Sequence, residues 1–351
     1  MLLRPASAVL FGGALILLIL SLGVYSSMYL QLWFTWLIPV VQISAGTLGS
    51  VAYNAYRLTM HRRLLQQSIA MYVSPAVATQ VLNRPDMMQP GAKMEELSII
   101  FTDIANFTNQ TEGMDSDTLA HLMNGYFEAA VTRAIDPTQG TVVKFIGDAI
   151  FGIWNAPLPQ PNHRELACRA ALLLRDQVND FHFNKPDEKV VTRIGLHCGN
   201  ANVGNFGSTR RVDYTAFGEN VNLSSRMEGL NKYLGTRILA TGDIIRPVEK
   251  QFVVRFLGQF QLKGFGKAVD VFELLGELDQ KGPTEALRGE FAEGLEAFRR
   301  RDFDAAELSF KRVIQMNPKD GPSKFYLSHL NDYRVNPPPD SWKGEIELKE
   351  K

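Results

Sequence analysis

The sequence predicts an α+β protein: one sheet domain covered by helices over residues 93–276, with apolar helices before it and a charged helical unit after it. Three observations carry this. Short apolar runs alternate with amphipathic helical patterns through the middle of the chain. From Pro5 to Tyr56 there is no Asp, Glu, Lys, Arg or His. After Gly276 the composition turns to charged helix.

The elements follow in order. The uncharged N-terminal run is long enough to cross a roughly 30 Å hydrocarbon core twice. A break near Ser26, Ser27 and Gln31 divides it into spans over about 8–26 and 32–54, with Tyr29, Trp33 and Trp36 near the turn, where interfacial aromatics belong. A cleaved signal peptide is excluded by the length of the run and by the second span. Arg57, His61, Arg62 and Arg63 follow directly, and positive residues stay in the cytoplasm. The expectation is a two-span protein of the plasma or inner membrane, with everything after residue 56 cytoplasmic. Residues 57–92 read as a linker, helical to about Leu82 with an apolar stripe that suits either pairing with a second copy or packing on the following domain. Asn83 to Lys93, with Pro85, Pro90 and Gly91, reads as a loop.

Within 93–276 the predicted strands are Leu97–Thr102, Thr141–Phe145, Ala149–Trp154, Val190–Cys198, Asn200–Gly204, Arg211–Ala216, Phe252–Lys263 and Val269–Leu274. The predicted helices are Ser116–Ala134, Arg164–Phe183 and Asn220–Tyr233, the last with Asn220 as N-cap. Gly147-Asp148 marks a tight hairpin. Gly294, Ala297, Ala306, Phe310, Val313 and Pro318 have the spacing of a tetratricopeptide helix pair over 284–334, although only one unit and half of another are visible. Such a unit suits docking on the sheet domain or offering a surface to a protein partner. The tail, 335–351, is expected to be disordered.

Bulk chemistry excludes some classes. Lys+Arg and Asp+Glu are both 37, so the formal charge is zero. That balance argues against a general nucleic-acid binder, whose affinity for the phosphate backbone needs clustered positive charge. Cys168 and Cys198 sit far apart in apolar segments and read as inert buried thiols in a reducing compartment.

Two segments carry the chemistry. Ser98 to Thr108 and Lys144 to Phe151 each end an apolar run on one aspartate, Asp103 or Asp148. A carboxylate at the mouth of a buried strand is costly unless compensated, and two of them suit Mg²⁺ with a nucleotide's phosphates completing its shell. After Asp103 a helix or turn starts at Ile104-Ala-Asn-Phe-Thr108, and backbone N–H groups there, Phe107 and Thr108 among them, suit β- and γ-phosphates. Asp148 lies in a hairpin four residues after Lys144, and since residues four apart on a strand share a face, Lys144 is expected to reach toward the same cleft. Taken alone, each segment equally suits a solvated lysine and an ordinary turn aspartate. A third stretch, Gly195 to Glu228, places Asn222 and Arg226 at i and i+4 on one helix face, where an amide and a guanidinium suit ribose and phosphate oxygens. A structural Arg–Glu pair on that helix is the plainer alternative.

Together, Phe101-Thr-Asp-Ile104, Gly147-Asp-Ala-Ile-Phe151, Gly204-Asn-Phe-Gly-Ser208 and Gly218-Glu-Asn-Val-Asn-Leu-Ser-Ser-Arg226 resemble the class III nucleotide cyclase catalytic domain, over about Glu95 to Leu275. The resemblance implies a ferredoxin-like, antiparallel-rich sheet domain active as a head-to-tail homodimer with two sites. It implies two Mg²⁺ or Mn²⁺ ions per site held by Asp103, Asp148 and the carbonyl of Ile104. From the other subunit it implies Asn222 on the ribose, Arg226 on the α-phosphate and Lys263 on the triphosphate. The implied reaction converts ATP to 3′,5′-cyclic AMP and pyrophosphate. Lys144 matches the family's base-reading lysine, and a donor-only group suits adenine N1. The second base-reading position is Thr215 here, where the best-known adenylate cyclases carry aspartate. This threonine resembles a bicarbonate-responsive subgroup. Two other readings are a guanylate cyclase and a membrane-tethered scaffold using the C-terminal helices.

Overall fold

A computed structural model describes residues 5–33, 35–70, 91–178, 181, 189–208, 212–278, 284–339 and 341–347. The chain divides into two compact units, Met1–Tyr72 and Val73–Lys351.

The first unit is a helical hairpin of α1, Pro5–Tyr29, and α2, Leu37–Ala70. Small residues let the helices approach. A Cβ added at Gly12 would lie 2.7 Å from the Thr47 side chain, and one at Gly23 would lie 3.1 Å from the Trp36 ring. Among the described residues one helical stretch, Val9–Tyr29, is long and apolar enough to cross a membrane. The second span, expected over 32–54, differs. Its helix starts at Leu37 and runs on through the expected linker to Ala70. Gln42, Ser44, Thr47 and Asn54 dilute its hydropathy, and three of them turn inward on their own helix. Ser44 Oγ donates to the Val40 carbonyl at 2.7 Å, Asn54 Nδ2 donates to Ser50 at 2.9 Å, and Thr47 Oγ1 donates to Ile43. The remainder of the linker expectation, 71–90, lies outside the described residues.

The second unit is built on a mixed sheet. Its elements are β1, Gly91–Ile104; α3, Phe107–Thr111; α4, Ser116–Ala130; β2, Thr141–Ile146; β3, Ala149–Trp154; α5, His163–Gln177; β4, Thr192–Gly207; β5, Val212–Phe217; α6, Glu219–Leu234; β6, Ile238–Thr241; α7, Gly242–Ile245; β7, Phe252–Gln261; and β8, Val269–Glu277. Then come α8, Thr284–Arg299; α9, Phe303–Met316; α10, Gly321–Val335; and β9, Glu345–Glu347. The strand order is β2-β3-β1-β4-β6-β8-β7-β9, with β5 folded back on β4. The run β1-α4-β2-β3-α5-β4, with β1 antiparallel to both β3 and β4, is the ferredoxin-like split βαβ arrangement.

Alternation along β1 sets the two faces of this sheet. Ile100 and Ile104 enter a core shared with α4 and α5, whereas Leu97 and Ile99 enter one with Phe151, Val203 and Val221. Asp103 belongs to the second face by register.

Several boundaries differ from expectation. Gly91–Lys93, read as loop, is strand, because β4 is long enough to pair with it. Val190–Cys198 and Asn200–Gly204 merge into one strand, since Gly199 is there to admit the Asn220 amide; a Cβ would lie 2.5 Å from it. Asn220 does not cap α6. That place falls to Gly218, and the Asn220 side chain bridges His197 Nε2 at 2.9 Å and the Asn200 carbonyl at 2.8 Å.

The C-terminal helices are part of this unit. Phe291, Phe298, Phe310 and Tyr326 share a core with Leu257 and Phe260 of β7 and with Met227, Leu230 and Leu234 of α6. The buried Arg255 ties β7 to β8 and to the start of α10, through Glu273 at 2.6 Å and Asp320 at 2.7 Å. The tail expected to be disordered is ordered over most of its length. Trp342 packs edge-on against Phe298 and Tyr333, and β9 pairs in parallel with β7.

Candidate active site

Asp103 is the penultimate residue of β1 and stands directly opposite Arg193 of β4. The two side chains form an ion pair. Arg193 Nε also lies 3.1 Å from Glu228 Oε1 of α6, both atoms buried and the contact not aligned as a hydrogen bond. Asp148 follows Gly147, whose φ of +64° makes the tight turn between β2 and β3. Its Oδ2 accepts the Ile104 N–H at 3.1 Å, which brings the hairpin to the end of β1. Asp103, Ile104 and Asp148 are thus brought together at one end of β1.

The electrostatics are those of an overcrowded acid cluster. Burial and then the Asp103 charge push the Asp148 carboxyl above the usual carboxylate range. Burial, with Asp103 next, pushes Glu228 up to about 7, against the pull of Arg193. Asp103 and Glu228 flank Arg193 and Asp148 lies beside Asp103, so one cation serves three carboxyl groups, and their all-oxygen donors suit a hard divalent cation. On this ground the residues present fit Mg²⁺ or Mn²⁺.

Helix α6 is seated hard on the sheet. A Cβ at Gly195 would lie 2.2 Å from the Glu228 nitrogen, and Ser224 Oγ reaches the Ile99 and Gly195 carbonyls at 3.0 and 3.1 Å. This fixes the helix so that Asn222 and Arg226 stand exposed on its outer side. Arg226 and Lys263 line one pocket of about 310 Å³, with Glu228 and Tyr233.

Lys144 lies on β2 beside a register shift that follows Val142. Its Nζ meets Asp213 Oδ2 of β5 at 3.1 Å. Thr215, buried and two residues further along β5, shares the face of Asp213. Phe107 and Thr108 open the short α3, behind Asn106 in the left-handed conformation; Phe107 packs against the α4–α5 core. Exposed apolar side chains, Phe145, Ile146, Phe217 and Tyr233, flank the Lys144 and Arg226 regions.

Sequence reasoning passed over Arg193, Asp213 and Glu228. Arg193 had a signal, a charge inside an apolar strand run. Asp213 and Glu228 had none, since each matters only through a partner 69 or 35 residues away.

Residues 90–276 match the family described as the adenylate and guanylate cyclase catalytic domain. Adenylate cyclase 1 of Rhizobium meliloti (strain 1021) is 33% identical over 222 residues, which are 62% of this chain and 33% of that protein. An adenylate cyclase of Anabaena cylindrica is 29% identical over 193 residues, 52% of this chain and 37% of that one. The solved structure of a bacterial light-regulated adenylyl cyclase aligns with a TM-score of 0.53 at 25% identity, over 63% of each chain. The chain therefore spans about a third of the length of these curated relatives. With the family match covering more than half of the chain and the ferredoxin-like sheet beneath it, the chain belongs to the adenylate and guanylate cyclase catalytic domain family.

Proposed function

We propose that this chain is a membrane-anchored adenylate cyclase, converting ATP to 3′,5′-cyclic AMP and pyrophosphate at a site completed by a second copy. The observation that carries the reading is the convergence of Asp103, Ile104 and Asp148 at the end of β1 with carboxylate charge left to be neutralised. Two divalent ions bound there would lower the pKa of the ribose 3′-OH and hold the triphosphate. The 3′-oxygen bonds to the α-phosphorus as the bond to the β-phosphate oxygen breaks, the hydroxyl proton passes to solvent, and pyrophosphate leaves. Arg193 sits beside Asp103, where a triphosphate would also lie, and offers it a fork of donors.

Asn222, Arg226 and Lys263 supply the rest from the partner copy: the amide orients the ribose, the guanidinium faces charge on the α-phosphate and the ammonium holds the triphosphate. Their exposure supports a shared site, as do the half-exposed apolar side chains of Phe145, Ile146, Phe217 and Tyr233, which burial between copies would cover. Lys144 donates to adenine N1, and the Thr215 hydroxyl accepts from the 6-amino group. Asp213 holds Lys144 in place for this. Phe107 and Thr108 present backbone N–H groups to the phosphates. The α1–α2 hairpin anchors the enzyme, with the catalytic unit on the cytoplasmic side, where ATP is.

The test is direct. Full-length protein with Mn²⁺ should make cyclic AMP from ATP and turn over GTP far more slowly. Asp103→Asn should lower the rate by at least roughly 10²-fold, the loss typical of a charge-stabilising group. Unchanged turnover in that variant would reject the site, and a preference for GTP would replace the substrate.

A further inference from the structure

We propose that Glu96, His163 and Cys198 form a second metal site, for Zn²⁺ or a similar borderline-soft ion, distinct from the Asp103–Asp148 pair. A carboxylate oxygen of Glu96, a ring nitrogen of His163 and the Cys198 sulfur all lie within 4.8 Å of one another. They come from β1, the first residue of α5 and β4, three elements that nothing local in sequence brings together. Ser98 and Cys198 are register partners, and Glu96 is two residues from Ser98, so all three share the helix-covered face. Asp103 faces the other way, roughly 23 Å along the strand.

The surroundings are those of a ligand set already oriented. His163 Nδ1 is engaged by Ser98 Oγ at 2.8 Å, which leaves Nε2 directed to Glu96 Oε2 at 3.8 Å. The other Glu96 oxygen accepts from Arg164 at 2.7 Å. Fixing the far nitrogen of a histidine and the far oxygen of a carboxylate is what supporting groups do around a bound metal. Tetrahedral zinc, with bonds of about 2.0–2.3 Å, wants donors roughly 3.3–3.8 Å apart, so closure needs movements of about 1 Å or less. His163 and Cys198 are buried while Glu96 is exposed, which gives an entry path and a fourth position for water.

Burial lowers the His163 pKa, so the ring is in its neutral, ligating form. Burial pushes the Cys198 thiol up to about 11, so the metal must displace a proton from it and zinc binding should strengthen as pH rises. Among the described residues the buried Arg164 Nε has no hydrogen-bond partner, and a metal thiolate is an acceptor for such a donor. Thiolate and imidazole donors reject Mg²⁺ and select a softer ion.

The experiment uses full-length protein in excess Mg²⁺, which occupies the carboxylate pair, titrated with Zn²⁺ and, separately, Co²⁺. The expected result is about one zinc per chain by elemental analysis and, with cobalt, a near-ultraviolet thiolate-to-cobalt band. Cys198→Ser should abolish the band. Glu96→Gln, at an exposed position where folding is not at stake, should weaken zinc binding roughly ten- to hundredfold. Absence of the cobalt band from the wild-type protein, or unchanged zinc affinity in Glu96→Gln, would overturn the site. Neither readout depends on cyclase activity.

Discussion

Replacing Arg255 by Met strands two buried carboxylates. Arg255 Nε and Nη2 donate to Glu273 Oε2 at 2.9 and 2.6 Å, and Nη1 donates to Asp320 Oδ1 at 2.7 Å. The guanidinium also lies over the Phe291 ring, 4.9 Å from its centroid. Burial alone would lower the Arg255 pKa, but Glu273 and Asp320 outweigh it and raise it, a sign that the charges sustain one another. The side chains of Arg255 and Asp320 are 5% and 3% exposed, so water cannot take over the missing partner's role. Breaking such a pair by removing one member costs about 3–5 kcal/mol. At roughly 2–4 °C per kcal/mol for a domain of this size, the Tm should fall by roughly 6–20 °C. Burial already raises the Glu273 pKa, so the stranded acid neutralises itself in mild acid. The loss should therefore be larger at pH 8 than at pH 5.5. Differential scanning fluorimetry of the full chain at both pH values reads this out. Arg255→Met/Glu273→Leu, which removes one stranded charge, should recover part of the loss. A Tm change under about 2 °C at pH 8, or a greater loss at pH 5.5, would refute the reasoning.

Three other perturbations test the site. Glu228 holds its proton to about pH 7 in the folded protein against an ordinary value of 4.5, so its contribution is complete below pH 4.5 and lost as pH rises through 7. That span is worth about 3 kcal/mol, and in metal-free protein Glu228→Gln should flatten the decline of Tm between pH 5 and 8; an unaltered pH profile counts against it. Asp213→Asn releases Lys144 from an exposed pair of the kind worth about 0.2–1 kcal/mol, so the ATP-to-GTP ratio of kcat/KM should fall up to roughly fivefold. An unchanged ratio removes Asp213 from base reading. Gly195→Ala drives a methyl into the α6 backbone, which neither side chain rotation nor a rim shift relieves, and should cost roughly 3 kcal/mol. Near-wild-type stability in that variant would show that α6 is not seated as described.

Much of the catalytic unit was legible in local pattern. The strand ending on Asp103, the hairpin at Gly147-Asp148 and the helix carrying Asn222 and Arg226 stand where alternation, turn chemistry and helical spacing place them. The misses have physical causes. β6 is four residues long, too short to show a period. Gly199 reads as a break but is a space for Asn220, a demand made from 21 residues away. The tail from 335 reads as polar and proline-rich, yet the burial of Ile346 and the packing of Trp342 against the same core outweigh that composition.

Residue order alone settled which side chains are available: two carboxylates at strand ends, an amide and a guanidinium one helical turn apart, a lysine on a hairpin, and an uncharged N-terminal run. These are properties of neighbours in the chain, and periodicity reports them. What the tertiary structure decided is which groups meet. It set Arg193 between Asp103 and Glu228, Asp213 on Lys144, the C-terminal helices against the back of α6, and a glutamate, a histidine and a cysteine at one point. The reason is that ionisation, hydrogen bonding and burial depend on distances across the sheet, and register and strand order, not local sequence, set those distances.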